Sequence, residues 1–379
     1  MSGAQPERYR PPERERTRRY RLPLALGLAI GVAVLGTVRF LVPSSLPLGL
    51  QPASGLHDDM LAAARLMAQA TEAIREGRLA RGLAIDPVYD PNRTGIIGLE
   101  HSSITTTYGD LEAKRTTTNP NLAALIVKLL HQAGVRRGDW IAVGASSSFP
   151  ALIVASLAAA RAMGLEVRLI GSLTASMWGA NDPGFTFLDM FSHAREVLPY
   201  EITALSIGGE LDSGGGIGEE ARASLRDRIT ASGAVFVDEP DFEANVRLRM
   251  DLHRPPVPGA RPAAFINIGG GETNLGRSAE VLKLRPGLSV ISELPPPAQR
   301  GVLYAMAAEG VPVIHLLSIK TLALRYGLPW DPIPLPQPGQ GQLYREADAV
   351  RGRWVYALAA LVYAAVLVVV FLVFRKPAA

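Results

Sequence analysis

Three consecutive hydroxyls, Ser146, Ser147 and Ser148, follow Gly144 in the run WIAVGASSSFP at residues 140–150. Ile141, Ala142 and Val143 precede them as a short apolar run, the pattern of a strand buried on both faces of a parallel sheet. Pro150 suits the first turn of a helix, where its missing N–H costs little. Strand, glycine turn, serines and helix together present backbone N–H groups and hydroxyls at the positive end of a helix, a place for an anion or a nucleophile. Nucleophilic catalysis also needs a base within hydrogen-bond reach and an acid to orient it. Ser146 or Ser147 supplies the hydroxyl. Of His57, His101, His131, His193, His253 and His315, His101 and His315 stand just beyond strand ends, and Glu100 or Glu272 could orient one of them. GASSS lacks the second glycine of a nucleophile elbow. An equally open reading has one serine capping the helix and the others solvated.

Two further glycine-rich loops stand after strands, at residues 208–218 and 269–276. In the second, Gly269, Gly270 and Gly271 can turn their N–H groups into an anion-holding concavity, with Glu272 as base or amine-binding group and Asn274 beside it. The alternative is a tight turn. The first loop contains GIGEEA at 216–221, with Asp238 about 20 residues on, a formal match to the dinucleotide pattern. Glu210, Asp212, Glu219 and Glu220 would repel a pyrophosphate there, so no nucleotide is expected. The same loop lacks the spacing of a calcium site. Asp189 and His193 share a helix face but have no third ligand at a telling distance, so no metal site is assigned, and no cofactor is identified. The polar stretch 100–118, rich in Ser and Thr and including Ser102 and Ser103, completes the candidate set.

These loops can meet only if the strands that carry them share a sheet. The pattern predicts strands at 95–99, 141–143, 165–170, 202–207, 234–237, 263–268, 289–291 and 311–315. Helices are predicted at 122–133 (capped by Asn119-Pro120-Asn121), 149–163, 187–198, 217–231, 242–252, 297–308 and 319–326. Repeated β-α with apolar strands reads as an α/β fold with a largely parallel sheet and flanking helices, in one lobe or two. Ligands in open sheets of this class bind at the carboxyl ends of the strands. An amphipathic helix at 57–79, with Met60, Met67 and Ile74 seven apart, is expected to pack on the body.

The chain has 379 residues, 48% hydrophobic, with no cysteine. Disulfides and thiolate chemistry are excluded. Residues 22–42 and 354–374 are apolar and each long enough to cross a bilayer. Arg8, Arg10, Arg14, Arg16, Arg18, Arg19 and Arg21 keep the N-terminus cytoplasmic, and two spans return the C-terminus to the same side. Thr17-Arg18-Arg19 loosely matches a twin-arginine signal, but without a small-residue cleavage site the reading is an uncleaved anchor. The expected order is a basic cytoplasmic tail (1–21), a transmembrane helix (22–42), a linker and amphipathic helix (43–93) and an extracytoplasmic α/β domain (94–328). A proline-rich tether (329–353), a transmembrane helix (354–374) and a short cytoplasmic tail (375–379) follow. Gly27 and Gly31, like Ala360 and Ala364, give close-packing faces through which the spans or two copies could associate. The net charge of +4 arises in the membrane flanks; the body between them is net acidic, which argues against nucleic acid.

The stretch GIIGLEHSSITTTYGDLEAKRTTTNPNLAALIVKLLHQAGVRRGDWIAVGASSSFPAL resembles the poly-γ-glutamate system proteins. So do LIGSLTASMWGANDPGFTFLDM, INIGGGETNLG and GVPVIHLLSIKTLALRYGLPWDP, in one order from about Thr94 to Pro332. The resemblance implies a membrane-associated protein that acts with the synthesis and export components of that anionic polymer, and it assigns no catalytic residue. Three roles follow: an accessory binder of carboxylate-bearing polymer or precursor, a serine-type hydrolase or transferase of γ-glutamyl amides, or a scaffold for synthase subunits. Because the body is acidic, recognition is expected to be local, through loop N–H groups, Ser146–Ser148 and Lys114, Arg115 or Lys320.

Overall fold

Seven strands form the centre of the molecule in the computed structural model, which describes residues 55–345 apart from 255, 256 and 258, and residues 361, 363–365, 367 and 368. Their order is β6-β5-β2-β1-β7-β9-β8. β1 (Trp140–Ser146) lies in the middle, between β2 (Glu166–Ser172) and β7 (Phe265–Ile268), parallel to both. Outward on one side come β5 (Ile202–Ser206) and β6 (Val235–Phe236), on the other β9 (Val313–Leu316), all parallel. Only the edge strand β8 (Gly287–Ser289) runs antiparallel. β3 (Asn181–Asp182) and β4 (Phe185–Thr186) make a separate hairpin. The apolar runs explain the order: Ile141, Ala142, Val143, Phe265, Ile266 and Ile314 are buried, as central strands covered on both faces require.

The helices shield those faces. Helix α1 (Gly55–Ala80) buries Met60, Ala63, Ala64, Met67, Ala70 and Ile74 against α3 (Asn121–Gln132) and α4 (Pro150–Met163). Its predicted packing face is the buried one. Gly77 on α1 allows α5 (Phe187–Ala194) to approach, since a Cβ there would sit 2.3 Å from the His193 ring. α4 ends at Gly164, whose left-handed φ of 65° suits glycine. On the other face α7 (Phe242–His253) and α9 (Val302–Ala308) build a core with Phe265, Tyr304 and Val313. α6 (Glu219–Ser232) precedes β6 and α10 (Ile319–Arg325) follows β9.

The architecture is α/β with a mostly parallel sheet, and residues Gly55–Arg345 form one compact unit rather than two lobes. Several segments differ from expectation. Residues 95–99 join no ladder: the Gly98 N–H and the Leu99 carbonyl bond the Trp178 backbone at 3.2 and 2.8 Å, and Asn181 takes the Leu99 backbone by both its amide atoms, at 2.8 Å each, so isolated bonds stand in place of a neighbouring strand. The polar stretch 100–118 contains a helix, α2 (Leu111–Thr117), started by Asp110, whose carboxylate accepts from the Ala113 N–H at 3.2 Å. The predicted helix 297–308 splits into a short 3₁₀ turn (Pro297–Gln299) and α9, with Gly301 between them packed against Gly276 and Asn274. A four-residue helix, α8 (Glu272–Leu275), occupies the last glycine-rich loop.

The proline-rich segment is no free tether up to residue 345. Asp331 pairs with Arg115, Asn92 donates to Pro332 O at 2.9 Å, and Asn121 bonds Gln337, Gly339 and Tyr344. Prolines supply an extended backbone without N–H demands, so polar side chains on the body can pin it. The first apolar span, 22–42, lies outside the described residues, as does most of 354–374, of which only the six residues above are described, as helix. Among the described residues no helix is long and apolar enough to cross a membrane.

Candidate functional site

The strand order reverses at β1: successive strands β2, β5 and β6 build outward on one side, β7 and β9 on the other. Such a switch point leaves a crevice at the carboxyl ends of the two diverging strands. Ser146 ends β1 there, in register with Ser172 on β2, and Ser172 is in register with Ser206 on β5. Gly269 follows β7 with a left-handed φ of 82°, and a Cβ on it would lie 3.1 Å from the Ser146 Cβ. The serine turn and the loop 269–276 therefore meet. The loop after β5 packs instead on the end of β2 and on the Ser/Thr-rich stretch: Gly208 sits against Ser172 and Thr174, and Gly209 against Thr106.

The three serines differ in role. Ser147 is fully buried and donates its hydroxyl to Ser172 O, so it is part of the sheet edge. Ser146 and Ser148 are half-buried, and the Ser146 hydroxyl donates to Ser148 Oγ at 3.0 Å. Ser148 Oγ also accepts from the Ser176 N–H at 3.0 Å. None of them caps α4: the N-cap is Phe149, with no side-chain bond. Gly144 is needed within β1 because Asn274 and Phe265 close over it, each 2.9 Å from where a Cβ would be. Asn274 is buried and its Oδ1 takes no partner among the described residues.

The remaining predicted residues do not assemble a serine–histidine–acid set. His315 is buried on β9, 3.1 Å from Asn267 Nδ2 in the facing register, and burial pushes its pKa down to about 4. His101 is exposed and forms no hydrogen bond with Ser146, Ser147 or Ser148 among the described residues. Glu272 accepts from Arg277 Nε at 2.6 Å. Ser102 donates to Asn181 O and holds Thr105, which ties its loop to the hairpin, while Ser103 is exposed. Gly270 and Gly271 are exposed beside Gly269. Arg115 is occupied by Asp331, and Lys320 lies over the Trp330 ring, 5.3 Å from its centroid. Asp189 is bonded by Thr186, Arg81 and Arg228, which leaves no free carboxylate for a metal with His193.

Lys114 behaves differently from the other cations. α2 carries its side chain under the serine turn, where it is 3% exposed. Nζ donates to Ser148 O, stands 2.8 Å from Ser176 Oγ and lies 3.7 Å from the Phe149 ring centroid. No carboxylate forms an ion pair with it among the described residues. Desolvation lowers its pKa to about 7, against a smaller upward pull from Asp110. The sequence reading named Lys114 only as a cation for carboxylates and omitted Ser176. The available signal was Asp110 followed by Leu-Glu-Ala, a helix start that sets Lys114 on a helix instead of a loop.

The acidic loop 208–218 folds back on itself with Glu210 N–H on Gly215 O, and it leaves Glu210 exposed while Asp212 turns inward. Asp212 pairs with the buried Arg249 and accepts from Ser206 Oγ at 2.7 Å, while Arg249 takes Asn245 at 2.9 Å. Its carboxylate is thus committed to the scaffold at the sheet edge. A surface cavity of about 580 Å³, lined by Asp189, Arg195, Arg228 and Gly233, opens at the opposite, amino edge of β5 and β6. The carboxyl edge is marked instead by its polar groups, the half-buried Ser146 and Ser148 hydroxyls beside the Gly269 turn. Comparison with family models, curated proteins and solved structures gave no match.

Proposed function

We propose that the chain is a membrane-anchored accessory component of poly-γ-glutamate synthesis or export, with an α/β domain that binds carboxylate-bearing polymer or precursor at the carboxyl edge of its sheet. The observation that supports this reading is the meeting of the half-buried hydroxyls of Ser146 and Ser148 with the Gly269 turn at the β1/β7 switch point. Hydroxyls and backbone N–H groups bind a carboxylate by direction rather than by net charge, which fits an acidic body. The apolar segments 22–42 and 354–374 would hold that domain outside the cytoplasmic membrane, beside the synthase and export components, with small-residue faces available for self-association.

Deletion of the gene in a polymer-producing host is expected to reduce polymer yield, length or release while synthetase activity in membranes persists. The wild-type chain should restore the polymer, and a Ser146→Ala/Ser148→Ala chain should restore it only in part. Polymer of normal amount and length in the deletion strain would overturn the proposal. Protease added to wall-stripped cells should cleave the body, and full protection would overturn its placement outside the membrane.

A further inference from the structure

We infer that Ser176 and Lys114 form a nucleophile–base pair for acyl transfer at an amide or ester carbonyl. The two residues come from different elements, Lys114 from α2 and Ser176 from the loop between β2 and β3, and their reactive atoms stand 2.8 Å apart. That is the contact a nucleophilic hydroxyl and its base require. A buried structural lysine is ordinarily neutralised by a carboxylate. Here the neighbours are the Ser148 carbonyl, the Phe149 ring face and the Ser176 hydroxyl.

Those neighbours fix the orientation of the neutral amine. A carbonyl oxygen and a ring face can only receive N–H groups. The protonated amine donates to Ser176 Oγ at 2.8 Å; once that proton is lost, the carbonyl and the ring keep the two remaining hydrogens and the lone pair is left for the Ser176 O–H. Asp110 is the charged group whose field reaches the amine, and burial outweighs it. Ser176 is itself buried, at 6% exposed, and the nearest half-buried groups are Ser148, whose Oγ accepts from the Ser176 N–H at 3.0 Å, and Ser146, so a carbonyl must reach Ser176 over the serine turn.

In the reaction, Ser176 Oγ bonds to the carbonyl carbon while its proton passes to Lys114 Nζ. Collapse of the tetrahedral adduct breaks the C–N bond, and the Lys114 ammonium returns that proton to the leaving amine. The product is an acyl ester on Ser176. Water or a second amine then attacks the ester, gives up its proton to Lys114, and releases Ser176, which recovers that proton. The choice of a γ-glutamyl amide as acyl donor rests on the polymer reading above; the pairing of Ser176 with Lys114 does not.

The full chain in detergent micelles tests this in two ways. Because the sequence has no cysteine, Ser176→Cys places a single thiol at the site with almost no change of volume. Iodoacetamide at pH 7 should alkylate it in the folded protein at least about tenfold faster than in Ser176→Cys/Lys114→Met, since the thiolate is the reactive form. A thiol that stays unmodified until the chain is unfolded would overturn the inference. In the wild type, p-nitrophenyl acetate should leave an acetyl ester on the Ser176 peptide by mass spectrometry, at a rate that rises through an inflection near pH 7. Lys114→Met should slow this by about a hundredfold and remove the inflection, and Lys114→Arg should not rescue it, because a guanidinium does not release its proton. Absence of the ester at Ser176 would overturn the inference, and a polymer defect in the deletion strain would leave the accessory role standing. Conversely, acylation of Ser176 together with normal polymer in that strain would support the pair and remove γ-glutamyl polymer as its substrate.

Discussion

Replacing Lys114 by Met should change how stability depends on pH. In the folded chain the Lys114 amine has a pKa of about 7, because burial removes water that a charged ammonium needs. In the unfolded chain it returns to about 10.5. Between pH 7 and pH 9 the unfolded state therefore keeps a proton that the folded state has lost. Stability must rise with pH across that window, by about 1.4 kcal/mol per pH unit once the folded amine is neutral. Half-protonation at pH 7 trims the total gain by pH 9 to about 2 kcal/mol. The raised Tyr200 and Tyr344 phenols titrate only near 12. Lys114→Met should abolish the slope. It should also leave the protein as stable as the wild type at pH 7, or more so by up to about 2 kcal/mol, since a Met side chain fills the space without a desolvation cost. Urea titrations of both chains at pH 7, 8 and 9, followed by tryptophan fluorescence, give the comparison. An identical slope in the two chains, or a severe loss of stability in the Met variant at pH 7, would refute the view of Lys114 as a poorly compensated buried amine.

On the acid side, burial holds His253 at about 3 and His315 at about 4, so both stay neutral in the folded chain while the unfolded chain takes up protons below 6.5. Stability is then complete above pH 6.5 and falls as pH drops toward 4, by about 2 kcal/mol for each histidine at pH 5; equal urea midpoints at pH 7.5 and 5 would refute this. Asp212→Ala strips the partner from Arg249, whose side chain is 3% exposed, and should cost about 3–5 kcal/mol. Adding Arg249→Met should recover most of that loss, and simple additivity in the double-mutant cycle would contradict the pairing. Asn121→Ala removes bonds to Gln337, Gly339 and Tyr344 and should cost about 1–3 kcal/mol, with limited proteolysis newly cutting within 337–344; an unchanged digestion pattern would show that other contacts hold that segment.

Local patterns in the sequence carry the sheet. Strands covered on both faces need uninterrupted apolar runs, and IAV at 141–143, FINI at 265–268 and VIHL at 313–316 are such runs, so β1, β7 and β9 are legible in the chain alone. The glycine turns that follow them are legible for the same local reason, because only glycine enters the left-handed region at low cost, as at Gly208 and Gly269. Amphipathic spacing shows the buried face of α1. The segment 95–99 misleads because strand-like composition does not specify a partner, and the Trp178 backbone together with the Asn181 side chain, 82 residues from Leu99, supplied isolated bonds instead of a strand.

Which polar groups face one another was decided by tertiary structure. Glu272 looks like an orienting acid until Arg277 is seen to hold it, and Asp212 looks solvated until Arg249 closes on it. Lys114 and Ser176 are 62 residues apart, and no spacing rule links a helix in a Ser/Thr-rich stretch to a loop beyond the next two strands. Their contact, and the loss of water that makes the lysine a base, exist only because α2 packs under the serine turn. Burial is a property of the assembled chain, and the chemistry of a titratable side chain follows its burial more closely than its neighbours in sequence.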